Sequence, residues 1–398
     1  MRSNIKLGTI SGIEIGLHYS WFIIAALIAF SLAEHFRQVD PSWGPGQIWI
    51  AALVTAALFF ATLLLHELAH SLVAQARGLK VRAITLFALG GVSQIQDDAI
   101  DAKTEFWVAI AGPIASLIIG FGSLGIALGL GWQRSTEAQT AVTGVLVWLG
   151  YINIALAVFN MIPGFPLDGG RVLRAIVWAI NKNADRSTRV AARVGEFVAF
   201  LFILDGIWQF FSGTGFGGLW IAFIGWFLMD AAKASYAEVE ITAALRGVRV
   251  SEVMSRDCAI VSPGMSLQEF VNTYLLRAGE RCFAVEDQGR FLGLITPRDV
   301  GNMPRDRWDK TTVQEAMRPL KELHVITPDT PVLDALKLVT GKDVNQLPVV
   351  ANDALRGVVS RSQLLKLLQV RSELLPAAYH PPLDRENESE KPSSAPAA

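Results

Sequence analysis

Read for its apolar and polar positions, the chain changes character near residue 236. Before that point, long apolar runs alternate with short polar segments. Six runs approach the roughly 17–25 residues that cross a bilayer: Leu17–Ala33, Gln47–Gln75, Phe106–Trp132, Val142–Met161, Val194–Phe211 and the shorter Leu219–Ala232. The glycine-rich stretch Ser212–Gly218 predicts a turn between the last two. Ile5–His18 alternates and carries glycines, which predicts a short hairpin at the membrane surface. Val81–Gln96 is β-rich, with Gly90-Gly91 placed for a tight turn; its edge is one on which an extended peptide could pair. Gly112-Pro113, inside the third run, predicts a kink or a close helix approach.

Charge orients these runs. Arg2 and Lys6 precede the first, and Arg77, Lys80, Arg82 and Lys103 lie between the second and third. Arg171, Arg174, Lys182, Arg186, Arg189 and Arg193 lie between the fourth and fifth, and Lys233 follows the sixth. The opposite loops hold only Arg37 and Arg134, so the positive-inside rule puts both termini in the cytoplasm. Composition agrees with a membrane domain followed by a soluble one: 52% of residues are hydrophobic and 18% charged, against about 25% charged in average soluble domains. A net charge of −1 suggests no nucleic-acid partner. Cys258 and Cys282 lack metal-ligand spacing and read as reduced core thiols. Met1–His18 does not read as a cleavable signal peptide.

The second run carries the chemistry. Ala61–Gly78 reads ATLLLHELAHSLVAQARG, with His66, Glu67 and His70 as H-E-x-x-H. On a helix, positions i and i+4 share a face, so both imidazoles reach one metal ion. Glu67 stands beside the first histidine, where a carboxylate can take a proton from water at a zinc site. Ionisable residues in a membrane span are costly and usually functional. A catalytic zinc needs one more protein ligand. Asp168, in Asn160–Arg171 (NMIPGFPLDGGR), is preferred: Pro163 and Pro166 break the helix, and irregular backbone presents it at the depth of the histidines. Asp205, in FILDGIW, is the competitor, but it lies in the outer half of the fifth run.

These segments resemble the site-2 protease family of intramembrane zinc metalloproteases. The resemblance rests on HELAH, on GPIAS at Gly112–Ser116 and on NMIPGFPLDGG, and covers roughly Leu7–Ala232. It implies one Zn2+ held by His66, His70 and Asp168, Glu67 as general base, and Asn160 as a group that helps bind substrate or the oxyanion.

The remainder holds a duplication at an offset near 64 residues. Val250–Met254 answers Val313–Met317, Val261-Ser262-Pro263 answers Ile326-Thr327-Pro328, and the amphipathic Ser266–Leu275 answers Thr330–Leu338. Cys282–Val285 answers Leu347–Val350, and Gly293–Thr296 answers Gly357–Ser360. The pair resembles tandem cystathionine-β-synthase (CBS) domains. That resemblance implies an adenine nucleotide in a cleft, contacted by Thr296 and Asp299 in the first repeat and by Ser360 in the second, where Gln363 replaces the acid. It also implies dimerisation, and a module that only dimerises is the plainer alternative.

The expected fold is thus a multi-pass α-helical membrane protein of about six spans with a C-terminal α/β CBS-domain pair. The expected domains are residues 1–236 for the protease, a linker at 237–247, repeats at 248–308 and 309–370, and a disordered, Pro/Ser/Glu-rich tail at 371–398. The expected function is cleavage of a single-span membrane protein, for example an anti-sigma factor, in the cell membrane. The rival readings are a CBS-regulated ion transporter or channel and an inactive binding relative. Glu67 argues against the transporter, which needs ligands but no base.

Overall fold

A computed structural model describes residues 4–88, 90–95, 99–133, 140–276, 282–342 and 344–374. The chain forms two compact units, Met1–Val239 and Glu240–Ala398.

The first unit opens with strands β1 (Ile5–Ile10) and β2 (Ile13–Leu17), the expected hairpin. Helices α1 (Ser20–Val39) and α2 (Pro45–Ala76) follow, then strands β3 (Val81–Phe87) and β4 (Gly90–Ile95). The four strands form one sheet in chain order, with β2 and β3 parallel and β4 at an edge. Gly90-Gly91 does not form the turn. Phe87 pairs with Gly90, so both glycines lie in β4. The requirement at Gly91 is for space: a Cβ there would stand 2.5–3.0 Å from Cγ, Cδ and Oε1 of Glu67.

Helices α3 (Ala102–Gly129), α4 (Ala141–Asn160), α5 (Asp168–Asn181), α6 (Ala184–Gln209) and α7 (Phe216–Leu245) complete the unit. Among the described residues, α1, α2, α3, α4 and α7 are long and apolar enough to cross a membrane. The expected fifth run lies in α6, which carries Arg193, Glu196 and Asp205 and falls outside that group. Exposed Phe22, Ile23, Leu27 and Phe30 on α1 and Ile50 and Leu53 on α2 suit a lipid surround rather than water. The expected linker is helical as far as Leu245, because Tyr236–Leu245 holds no Gly or Pro; Gly247, at φ +78°, follows the end of the helix.

The second unit carries α8 (Val250–Val253), β5 (Ala259–Val261), α9 (Leu267–Phe270), β6 (Phe283–Asp287), β7 (Arg290–Ile295) and α10 (Pro297–Gly301). The second repeat follows as α11 (Val313–Ala316), β8 (Arg318–Pro319), α12 (Val332–Lys342), β9 (Gln346–Ala351), β10 (Ala354–Ser360) and α13 (Arg361–Leu374). The repeats exchange their opening segments. Val248 and Val250 pack into the second repeat's core with Val332, Leu347 and Val359, while Val313 and Ala316 pack into the first with Phe270, Phe283 and Ile295. The sheet shows the same exchange, since β8 pairs with β7 and Ser255 bridges Val358.

Cys258 and Cys282 are not free thiols; they form a disulfide, with Cα atoms 5.4 Å apart. Parallel pairing of Ala259 with Phe283 brings the preceding cysteines side by side, a proximity their spacing in sequence does not show. The expected tail starts later than residue 371, since α13 runs to Leu374; the rest of it lies outside the described residues.

Candidate metal centre

The centre is built on α2. His66 and His70, one turn apart, are 3% and 4% exposed, and their Nε2 atoms stand 3.3 Å apart. Asp168 Oδ2 lies 3.2 Å from each. Ligands about 2.05 Å from a tetrahedral zinc stand about 3.3 Å from one another. The three atoms therefore make a triangle of the size one zinc requires, and among the described residues no other such His, Cys or carboxylate cluster occurs. A Cβ on Gly112 would collide with Nε2 of both histidines, so the glycine keeps open the space a metal would fill.

The imidazoles are held from behind. His70 Nδ1 lies 2.7 Å from the Val108 carbonyl, which can only accept. The Nδ1–H of His70 therefore donates, and the Nε2 lone pair faces the centre. His66 Nδ1 lies 2.8 Å from Ser116 Oγ, an arrangement that supports the same tautomer.

Asp168 arrives by a different route. It is the first residue of α5, not part of the irregular backbone, which ends at Leu167. Leu167 is extended and caps the helix, and an acid in the first turn suits the helix dipole. Gly169 and Gly170 let α5 lie directly against the Met161–Phe165 backbone, where a Cβ on either would strike main-chain atoms. One turn on, Arg171 Nε donates to Glu105 Oε1 at 3.0 Å, and Arg174 Nη1 reaches the same oxygen at 3.2 Å. Glu105 is 1% exposed, so these two arginines neutralise a buried acid and pin α5 to α3.

Helix α3 thus positions all three ligands. Glu105, Val108, Gly112 and Ser116 share one face, at i, i+3, i+7 and i+11. They hold α5, His70, the open space and His66 respectively. Sequence reasoning missed Glu105 and Val108 and saw Ser116 only within a motif. The available signal was that stripe of one acid, one glycine and one serine in phase at the head of an apolar run.

Glu67 is half-buried beside the centre. Ser93 Oγ, from β4, donates to its Oε2 at 3.0 Å, so the sheet edge and the carboxylate are in contact. Asn160 closes α4 and spends one amide hydrogen on the Leu156 carbonyl at 3.0 Å. Asp205 is exposed on α6, accepts from Gln209 Nε2 at 2.8 Å and takes no part in the triangle.

In the second unit, the Asp299 carboxylate accepts from Thr296 N (2.9 Å), Thr296 Oγ1 (2.6 Å) and Arg318 Nε (3.0 Å). In the second repeat, Gln363 Oε1 accepts from Ser360 N (2.8 Å) and Ser360 Oγ (3.0 Å).

The sequence is also similar to known proteins. The model of peptidase family M50 matches residues 54–132 and 121–204, and that of the CBS domain matches 250–301 and 313–370. The sll0528 protein of Synechocystis sp., which carries a zinc-metalloprotease name, is 31% identical over 374 residues, covering 93% of this chain and 96% of that protein. Rip3 of Mycobacterium tuberculosis, also named as a zinc metalloprotease, is 31% identical over 374 residues, covering 93% and 94%. The solved structure of a site-2 protease from Methanocaldococcus jannaschii is 28% identical and covers 58% of this chain and 94% of that one, with a TM-score of 0.40.

Proposed function

The chain belongs to peptidase family M50, the site-2 proteases, as a membrane zinc metalloendopeptidase with a C-terminal CBS-domain pair, and from that premise we propose that it cuts a peptide bond in or near the transmembrane segment of a membrane-anchored protein. The observation that carries the reading is the zinc-sized triangle of His66, His70 and Asp168, in which the two histidines, with Glu67 between them, lie on an apolar helix long enough to span a bilayer.

Zinc held by those three residues supplies Lewis acidity toward water and the scissile carbonyl. Glu67 takes the proton of the attacking water and returns it to the leaving amine. Ser93 orients that carboxylate through Oε2. The second amide hydrogen of Asn160 stabilises the oxyanion, the first being engaged by Leu156. A bond inside a membrane helix is shielded by the helix's own hydrogen bonds, so the substrate unwinds locally. The outer edge of β4, the last strand of its sheet, whose Ser93 touches Glu67, pairs with the unwound segment.

The substrate is a single-span protein, such as an anti-sigma factor already trimmed outside the membrane. The enzyme lies in the cell membrane with both termini cytoplasmic, following the distribution of Lys and Arg. Its CBS pair binds an adenine nucleotide, forms the contact between two copies and modulates cleavage.

The test is zinc content and cleavage of a panel of single-span substrates by detergent-purified protein, beside Glu67→Gln. Zinc in both, with cleavage lost only in the variant, is the expected result. Wild-type protein that holds zinc but cleaves nothing, with or without nucleotide, would overturn the protease reading.

A further inference from the structure

The two repeats are related residue by residue at their Thr/Ser-x-x-acceptor sites, and they differ there in charge. Leu294 pairs with Arg318 on β8, and Val358 pairs with Ser255. A Cβ on Gly293 would strike the Arg318 carbonyl, and one on Gly357 would stand 2.6 Å from the Ser255 carbonyl. Arg318 and Ser255 therefore occupy equivalent places, as do Asp299 and Gln363, and Thr296 and Ser360. The first site holds an acid and a guanidinium; the second holds neither. The two charges are kept or lost together, as expected where a carboxylate only 7% exposed needs a cation.

The oxygens of Asp299 are unequal. Oδ2 takes both Thr296 donors and serves the first turn of α10. Oδ1 takes only Arg318 Nε. The Arg318 side chain is 52% exposed, and its Nη1 and Nη2 have no partner among the described residues. A guanidinium has a planar fork of donors that matches phosphate, and a buried carboxylate oxygen accepts well from hydroxyls. One ion pair thus closes two binding groups against each other.

We propose that Arg318 is a latch on the first site. A ligand carrying both a phosphate and sugar hydroxyls, a nucleoside phosphate, draws Arg318 onto its phosphate and frees Asp299 Oδ1 for a hydroxyl. The neutral Ser360/Gln363/Ser255 site has no such exchange, so the chain takes one nucleotide at this module rather than two. This rests on the nucleotide reading above and adds its stoichiometry and its ligand-exchanged residue.

Calorimetric titration of the full-length, detergent-purified protein with AMP, ATP and adenosine tests it. The expected result is one site per chain and a preference for AMP over adenosine. Arg318→Gln weakens AMP by about ten- to a hundredfold, the scale of a charge-assisted contact, and leaves adenosine as tight or tighter because Oδ1 is released. Ser360→Ala changes neither. Thermal unfolding of each variant identifies one that has merely misfolded, and Arg318→Lys, which keeps the charge, recovers part of the AMP preference. Two equal sites, or an AMP-to-adenosine ratio unchanged in Arg318→Gln, overturns the latch and leaves the nucleotide reading standing. No binding of any of the three probes to folded wild-type protein overturns both.

Discussion

Asp168 and Asp299 are each held against cationic or metal-binding partners, and they are placed in opposite ways. Asp299 is a local solution: its Oδ2 partners are three residues away, and one guanidinium from the other repeat completes the set. Asp168 is a tertiary solution: its partners, His66 and His70, lie 102 and 98 residues earlier in the chain. It reaches them because α5 is fastened to α3 by Glu105, Arg171 and Arg174. A local site survives so long as its turn survives. A tertiary site depends on every contact that sets the separation of its elements, and here most of those contacts lie on one face of α3.

The sharpest way to break this contrast is at Gly112. Gly112→Ala should abolish zinc binding and cleavage together, measured by metal content and substrate turnover, because the new Cβ takes the metal's place. Gly122→Ala, on the same helix with nothing within 4 Å, should leave both unchanged. Zinc retained in Gly112→Ala would mean that the triangle is not the metal site.

Next in size is Glu105→Ala. It leaves two arginines facing a buried void and should cost about 3–5 kcal/mol in unfolding experiments in detergent. Zinc affinity should fall as well, and Glu105→Ala/Arg171→Met should recover part of the stability. Wild-type zinc affinity in Glu105→Ala would show that Asp168 is placed by something other than this ion pair.

The local site should respond less. Thr296→Val keeps the shape but removes a donor to a charged acceptor, a loss of about 1.5–3 kcal/mol confined to the second unit. Zinc content and basal cleavage should not change. The smallest effect is expected of Ser93→Ala. It should lower kcat about two- to tenfold with zinc content unaltered, since it removes one hydrogen bond from Glu67 and no ligand. A loss of zinc there would place Ser93 in support of the metal rather than of the base.

The legible parts of the sequence were those set by short-range rules. H-E-x-x-H is a one-turn spacing, so His66 and His70 were readable as a pair and Glu67 as their neighbour. The duplication was readable because its offset stays near 64 residues. Asp168, preferred over Asp205 by expected membrane depth, stands beside both histidines, although its backbone is helical. The disulfide was misread because Cys258 and Cys282, 24 residues apart, meet only through the parallel pairing of β5 with β6. Gly91 was misread as a turn residue because turn propensity and the demand for space beside Glu67 both select glycine.

By itself, the sequence determined everything encoded in period, spacing and composition: apolar runs that must leave water, two histidines one turn apart, and a repeated half. Those properties are fixed by helix and strand geometry over a few residues, whatever surrounds them. Only the tertiary structure decided that Glu105, Val108, Gly112 and Ser116 form one supporting face, that Arg171 anchors the helix of Asp168, and that Arg318 rather than a nearby residue closes on Asp299. Each of these is a meeting of distant segments. Such meetings depend on how whole elements pack, and packing is a property of shape and burial that no local pattern carries.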